Sequence, residues 1–248
     1  MKFKNLIILS DYGNNHYVGQ LKLLCKKLMP RIEIIELSNN IEPQNIKQAS
    51  FIINNSTRYF PNDSLIVSML DPSLGSNLEI IFTKLNENNN IGLLSQNNGI
   101  FSEYVHKDIL FYKFKQQIVK SSFVGRDILI NISKIIFESD LTNFTLFDNR
   151  SINKLIFKES KSNKSITGEI IFFDVFGNAI TNIRMDINLK TSIFKDEVIE
   201  ICLDIETVHS KQIFVYWGDM GTLEIALKND NFKLRTLAKT GDSISAFY

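Results

Sequence analysis

The sequence predicts an α/β domain built on a mainly parallel sheet, followed by a small C-terminal β-barrel-like domain. Three observations lead there. In the first half, short apolar runs alternate with stretches of helical spacing, the pattern of strands joined by crossover helices. Near residue 150 the chain turns polar, "NRSINKLIFKESKSNKS". Beyond it come short apolar runs separated by turn residues, without a helical pattern. These set an α/β domain at 1–150, a linker at 151–165 and a β domain at 166–248.

The elements follow in order. Residues 6–9 are an apolar run, read as a buried first strand, and end in the turn "SDYGNN". Residues 18–29 have helical spacing, with Leu21, Leu24, Cys25 and Leu28 on one face, and Pro30 stops them. "IEIIEL" is a second strand. "EPQNIKQASFIINNSTRYF" is a second helix, with Ile46, Ala49, Ile53 and Thr57 inward. "SLIVSML" is a third strand, closed by Asp71 and Pro72. "NENNN" is a polar loop, and "GLLSQNNGIF" is a strand and turn signalled by Asn98-Gly99. "GRDILINISKIIFES" is a helix with Asp127 in its first turn, where a carboxylate is favoured. The β domain holds "TGEIIFFDVFGNAITNI", "EVIEICLDI", "KQIFVYW", "TLEIALKN" and "GDSISAFY".

Composition narrows the function classes. The 248 residues, 44% hydrophobic and 22% charged, are an ordinary globular balance with room for a sizeable core. A net charge of +1 gives no electrostatic case for nucleic acid or an anionic membrane. Cys25 and Cys202 lie far apart without metal-ligand spacing, which fits reduced thiols in a reducing compartment. His16, His106 and His209 are scattered, so no metal site is expected. The N-terminal apolar run is too short for a signal peptide or a membrane span. No Gly-rich phosphate loop, HExxH, CxxC or nucleophile elbow occurs, which disfavours kinases, zinc hydrolases and serine hydrolases.

The candidate site residues each admit two readings. Asp11, just after the first strand, can bind a pair of ribose hydroxyls, or can serve its own turn as an Asx acid. Asp71 sits beyond the carboxyl end of the third strand, where α/β sheets place catalytic groups, or initiates a turn before Pro72. "FVGRDI" can deliver backbone N–H groups around Gly125 to an anion or a polarised water, or can hold an internal Arg126–Asp127 pair. In "DVFGN", Phe176 can stack on a base, Asn178 can match an adenine edge and Asp174 can pair with an ammonium group. The same five residues also make an ordinary hairpin turn.

Seven stretches occur in order over almost the whole chain: "LSDYGNNHYVGQLK", "IEPQNIKQASFIINNSTRYFP", "VSMLDPSLGS", "QNNGIF", "SSFVGRDI", "FFDVFGNAITNI" and "MGTLEIALKNDN". Together they resemble the S-adenosylmethionine hydroxide adenosyltransferase family, whose relatives include fluorinating and chlorinating enzymes. The resemblance implies an α/β domain followed by a small β domain. S-adenosylmethionine would be the substrate, with no further cofactor. The implied assembly is a cytoplasmic homotrimer with sites between subunits, with no nucleic-acid or membrane partner. It places Asp11 on the ribose diol, Phe176 and Asn178 on adenine, and Asp174 on the methionine amino group. Asp219 stands where the family carries a serine and would assist Asp174. Asp71 would stand beside C5′, with the backbone N–H of Gly125 nearby.

The implied reaction is displacement of neutral methionine from a sulfonium by water, yielding adenosine and L-methionine. The leaving group needs no acid, so catalysis consists of positioning and partly desolvating the nucleophile. The family handles water with an Asp, Arg and His set. Here the Asp is Asp71, but the Arg position holds Leu78 and the His position holds Val124. The second acid of the first motif is also missing, and "NNHY" is one residue short. Loss of the Arg removes a cation that would lower the pKa of Asp71, which favours Asp71 as a base. An alternative follows from the same departures: a protein that binds or senses S-adenosylmethionine or adenosine without turnover. Halide chemistry ranks below both. A carboxylate about 4 Å from a halide repels it by roughly 4 kcal/mol at an effective dielectric near 20.

Overall fold

The computed structural model describes residues 3–70, 78–86, 88–106, 108–116, 121–186 and 188–248. The chain divides into two units, Met1–Leu155 and Ile156–Tyr248.

The first unit is built on a seven-stranded sheet: β1 (Asn5–Ser10), β2 (Glu33–Ser38), β3 (Ser64–Met69), β4 (Ile80–Asn86), β5 (Ile91–Gln96), β6 (Phe111–Phe114) and β7 (Phe144–Phe147). Their order is β2-β1-β3-β5-β4-β6-β7. The pairs β2–β1, β1–β3 and β3–β5 are parallel. The pairs β5–β4, β4–β6 and β6–β7 are antiparallel. The α/β class read from the sequence stands, with the parallel part confined to the first four strands of that order. The helices are α1 (His16–Leu28), α2 (Ile46–Ser56) and α3 (Ile130–Phe137). A π turn, Gly125–Leu129, leads into α3.

Alternation along β1 shows why both sheet faces need cover. Leu6 and Ile8 enter one core with Leu21 and Cys25 of α1 and Ile132 and Ile136 of α3. Ile7 and Leu9 enter the opposite core with Ile46, Ala49 and Ile53 of α2. A strand buried on both faces reads as a continuous apolar run, as "LIIL" does. Asn15 caps α1 by accepting from Tyr17 N at 2.8 Å, and Asn45 caps α2 by accepting from Gln48 N at 2.9 Å. Thr57 lies beyond α2, in a 3₁₀ turn.

The second unit contains β8 (Ser160–Lys161), β9 (Ser165–Phe173), β10 (Ala179–Arg184), β11 (Thr191–Phe194), β12 (Glu197–Cys202), β13 (Ile213–Trp217), β14 (Thr222–Leu227) and β15 (Ser243–Phe247). The order runs β10-β14-β13-β12-β11-β15-β9, and β9 pairs back onto β10. This closes a seven-stranded barrel, with β8 added on β9. Closure removes the exposed strand edges. Ile170, Ile183, Val215, Leu223, Ile225 and Ile244 fill the interior. The sequence shows no helix in this region, but a short one, α4 (Phe232–Thr236), is present and packs Phe232 against the same core. Five residues are too few to establish a helical period.

The hairpin β9–β10 contains a register irregularity between Ile180 and Thr181. Asn182 Oδ1 accepts from Glu169 N at 2.7 Å, and Thr181 Oγ1 donates to Leu223 O of β14 at 2.6 Å. These two side chains therefore stitch β10 to its neighbours on both sides.

Candidate active site

In the first unit the candidates gather at the carboxyl ends of β1 and β3, the edge where parallel sheets receive ligands. Asp11 follows β1 directly. Its Oδ2 accepts from the backbone N–H of Gln44 at 2.9 Å. Gln44 is 33 residues away, so Asp11 joins two loops rather than closing an Asx turn of its own. Ser10 Oγ donates to Asn39 Oδ1 at 2.8 Å, and Gly13 N donates to Asn39 O at 2.7 Å. The loops after β1 and β2 are thereby tied together around Asp11, and the second carboxylate oxygen has no partner among the described residues.

Gly125 begins the π turn and is buried. A Cβ there would collide with the hydroxyl of Tyr12 and lie 3.0 Å from Sδ of Met69, so a larger residue would require Tyr12 to shift. The Tyr12 ring meets Phe123 edge-on, with centroids 4.9 Å apart, and Tyr17 meets the same Phe123 at 5.4 Å. One residue beyond Gly125, Arg126 binds Asp127 through Nε to Oδ1 at 2.6 Å and Nη2 to Oδ2 at 3.1 Å. Ser121 Oγ adds a third bond at 2.6 Å. The Arg126 guanidinium, and then Ser121, hold the Asp127 carboxyl below its ordinary range. The internal Arg126–Asp127 pair anticipated from the sequence is thus present, and it occupies both charges.

Asp71 lies outside the described residues. Asn98 of the "QNNGIF" turn donates through Nδ2 to Leu70 O at 3.1 Å, which fixes the strand end just before it. Leu78 packs against the core shared by α1 and α3, and Val124 is a buried member of that core at 3% exposure. The two positions that depart from the expected Arg and His are therefore apolar packing sites.

In the second unit, the β9–β10 turn carries Asp174, Phe176 and Asn178. Asp174 Oδ1 accepts from the N–H groups of Phe176 at 2.9 Å and Asn178 at 2.8 Å. Its Oδ2 accepts from Asn178 Nδ2 at 3.0 Å. Gly177 has φ +87° and lies against the Asn231 side chain, which caps α4 by accepting from Leu234 N at 2.9 Å. Lys233 N donates to Gly177 O at 3.1 Å. The turn is thus fixed from inside and beneath, while Phe176 projects from its tip at 72% exposure.

Asp219 lies on the turn between β13 and β14, closed by Gly221 N donating to Gly218 O at 3.0 Å. Two residues not singled out from the sequence join this group. Glu224 of β14 is only 4% exposed and accepts from Tyr216 OH at 2.5 Å. Gly218 covers it so closely that a Cβ there would overlap its carboxylate. Burial, reinforced by the charges of Asp219 and Asp174, pushes the Glu224 carboxyl above its ordinary range, against the bond from Tyr216. Burial and the Glu224 contact push the Tyr216 phenol up as well. The one sequence signal for Glu224 was an acid inside the apolar run "TLEIAL".

Asp174, Phe176 and Asn178 thus share the β9–β10 turn, Asp174 and Asp219 both act on the charge of Glu224, and Gly125 lies beside Tyr12, which directly follows Asp11. Among the described residues no group of three His, Cys, Asp or Glu side chains is placed to hold a metal ion. No helix there is long and apolar enough to cross a membrane.

Comparison with known proteins covers both units. Residues 6–143 match the model of the SAM hydroxide adenosyltransferase N-terminal domain, and residues 168–245 match that of the C-terminal domain. A (R)-S-adenosyl-L-methionine hydrolase of Methanocaldococcus jannaschii is 27% identical over 190 residues, covering 73% of this chain and 67% of that protein. Among solved structures, an uncharacterized conserved protein from Thermotoga maritima superposes with a TM-score of 0.81 at 22% identity, over 97% of this chain and 99% of its own. A conserved hypothetical protein from Thermus thermophilus gives 0.79 at 18% identity, over 98% and 100%. At these identities the two structures speak for the fold.

Proposed function

The chain belongs to the SAM hydroxide adenosyltransferase family, and from that premise we propose that it binds S-adenosylmethionine and hydrolyses it to adenosine and L-methionine. The observation that carries this reading is the match to both family domains, in order, alongside a relative named as an S-adenosyl-L-methionine hydrolase. Water attacks C5′, the C5′–S bond breaks, and its electron pair returns to sulfur as a neutral thioether. One proton leaves the attacking water.

In this proposal Asp11 holds the ribose diol with the oxygen that Gln44 does not engage. Phe176 stacks on adenine, and Asn178 reads its edge with the amide groups left after its bond to Asp174. Asp174 accepts three hydrogen bonds within its turn, and a carboxylate has about four acceptor sites. One contact to the substrate ammonium completes it, with Asp219 contributing charge. Asp71 takes the water proton, and Gly125 lines the attack path. A homotrimer with sites between subunits and a cytoplasmic location belong to the same proposal.

A second reading, binding without turnover, is favoured by one observation: Val124 lies in the core, Leu78 packs against it, and neither offers water a polar group. One incubation separates the two. Purified protein is mixed with S-adenosylmethionine, with and without chloride, and adenosine, methionine and chloroadenosine are followed by chromatography. Adenosine formation that disappears in Asp71→Ala supports hydrolysis. Saturable binding with no product leaves the sensor. Chloroadenosine would reverse the charge argument against halide.

A further inference from the structure

Alternate residues of β14 face opposite ways. Leu223, Ile225 and Leu227 belong to the barrel core, so Thr222 and Glu224 lie on the outer face. Register extends that face to both neighbours. Glu224 pairs with Tyr216 of β13 and with Ile180 of β10. Ile180 follows the turn that holds Asp174 and Asn178, and Thr222 follows the turn that holds Asp219. Because β10 and β14 run antiparallel, the two turns stand at opposite ends of this strip, with Glu224 between them.

Two groups on the strip have unmet hydrogen-bonding capacity. Glu224 commits Oε2 to the Tyr216 hydroxyl. Its Oε1 has no partner among the described residues and fills the space that a side chain on Gly218 would take. Thr222 Oγ1 is fully buried and also lacks a partner. The charged groups acting on Glu224 are Asp174 and Asp219, and neither is a cation.

We propose that Glu224 Oε1 is a further acceptor for the ammonium of the substrate's methionine part, and that it selects ligands carrying that group. The proposal rests on the S-adenosylmethionine reading. An ammonium has three N–H donors, and Asp174 has about one acceptor site left after the bonds within its turn. Oε1 takes a second donor. Tyr216 keeps its proton and holds Oε2, which fixes the direction of Oε1. An ammonium beside the carboxyl favours its ionised form, so binding at low pH releases one proton from Glu224 to solvent.

The test measures dissociation constants of S-adenosylhomocysteine and adenosine by calorimetry from about pH 5 to about pH 8. S-adenosylhomocysteine keeps the ammonium but is not a sulfonium, so it is not turned over. In the wild type its affinity should rise with pH and its binding at the acid end should release a proton, while adenosine shows neither. Glu224→Gln should weaken S-adenosylhomocysteine about 10- to 100-fold at the alkaline end, flatten its pH dependence and leave adenosine within about twofold. Tyr216→Phe removes a donor that favours the ionised carboxyl, so the rise should move to higher pH. Glu224→Gln weakening both ligands alike, with proton release intact, is the outcome of a merely structural role and overturns the proposal. Unchanged affinity for S-adenosylhomocysteine in Glu224→Gln overturns it as well. A wild type that binds adenosine but not S-adenosylhomocysteine also overturns it and leaves the nucleoside grip standing. A wild type that binds neither removes the S-adenosylmethionine reading, and the role of Glu224 with it.

Discussion

The phenolic hydroxyl of Tyr216 donates a 2.5 Å hydrogen bond to Glu224 Oε2 across the paired strands β13 and β14. The pair lies beneath the Gly218–Gly221 turn, and Asp174 and Asp219 add negative charge to its surroundings. A buried carboxyl among like charges prefers to keep its proton.

That preference has a direction with pH. The folded-state value of Glu224 is raised above its ordinary 4.5 by burial first, then by Asp219 and Asp174. The stability it contributes is complete below the unfolded value and is lost as pH rises through the folded one. Glu224→Gln cannot titrate and still offers Tyr216 an acceptor. The melting-temperature difference, variant minus wild type, should therefore grow in the variant's favour from about pH 4 to about pH 7. Parallel melting curves across that range would show that Glu224 ionises in the fold as it does in water.

Asp174 organises its own turn. Asp174→Ala removes acceptors from three donors and should cost about 1–2 kcal/mol in chemical denaturation, with an unchanged m-value. Asp174→Asn keeps an oxygen for the two backbone donors and should cost less. An unshifted denaturation midpoint for Asp174→Ala would mean that the turn holds without it.

Gly177→Ala should destabilise by about 1–3 kcal/mol, because it puts a Cβ at φ +87° and into the Asn231 side chain. Combined with Asn231→Ala, which by itself costs about 1 kcal/mol as a lost cap, the total should fall short of the sum. Strict additivity would place the whole cost in the backbone angle.

Placing a histidine at position 124, where the resemblance leads one to expect it, should not raise adenosine formation. Val124→His buries an imidazole in an apolar core and should cost about 2–3 kcal/mol without raising adenosine formation. A more active, equally stable variant would show that position 124 opens to the substrate.

The sequence carried the parallel half of the sheet because β1 and β3 are buried on both faces and read as unbroken apolar runs. It did not carry β6 and β7. Each has four residues, too few for alternation to stand out, and they join the sheet through β4, a strand not read from the sequence either. The hairpin turn was legible because Gly and Asn have intrinsic turn preferences. The contacts of Tyr12 and Glu224 were not legible. An ordinary tyrosine after a strand meets Gly125 only once the fold brings that residue beneath its hydroxyl. A strand glutamate is enclosed only once Gly218 and Tyr216 are brought to it. Both depend on contacts between residues far apart in sequence, or across a turn whose path local preference does not set. The Arg126–Asp127 pair, between adjacent residues, was anticipated for the same reason in reverse.

The closed barrel sets an order of events during synthesis. β15, Ser243–Phe247, is not a tail but the stave between β9 and β11. Residues 165–227 can emerge from a ribosome and still lack the strand that joins the two sides. The first unit has no such dependence and can fold vectorially while the second is still being translated. The turn bearing Phe176 waits in the same way for Asn231 and Lys233. A nascent chain stalled between residues 227 and 243 would therefore carry a folded α/β unit with an open, sticky half-barrel that closes only after the last stave has emerged.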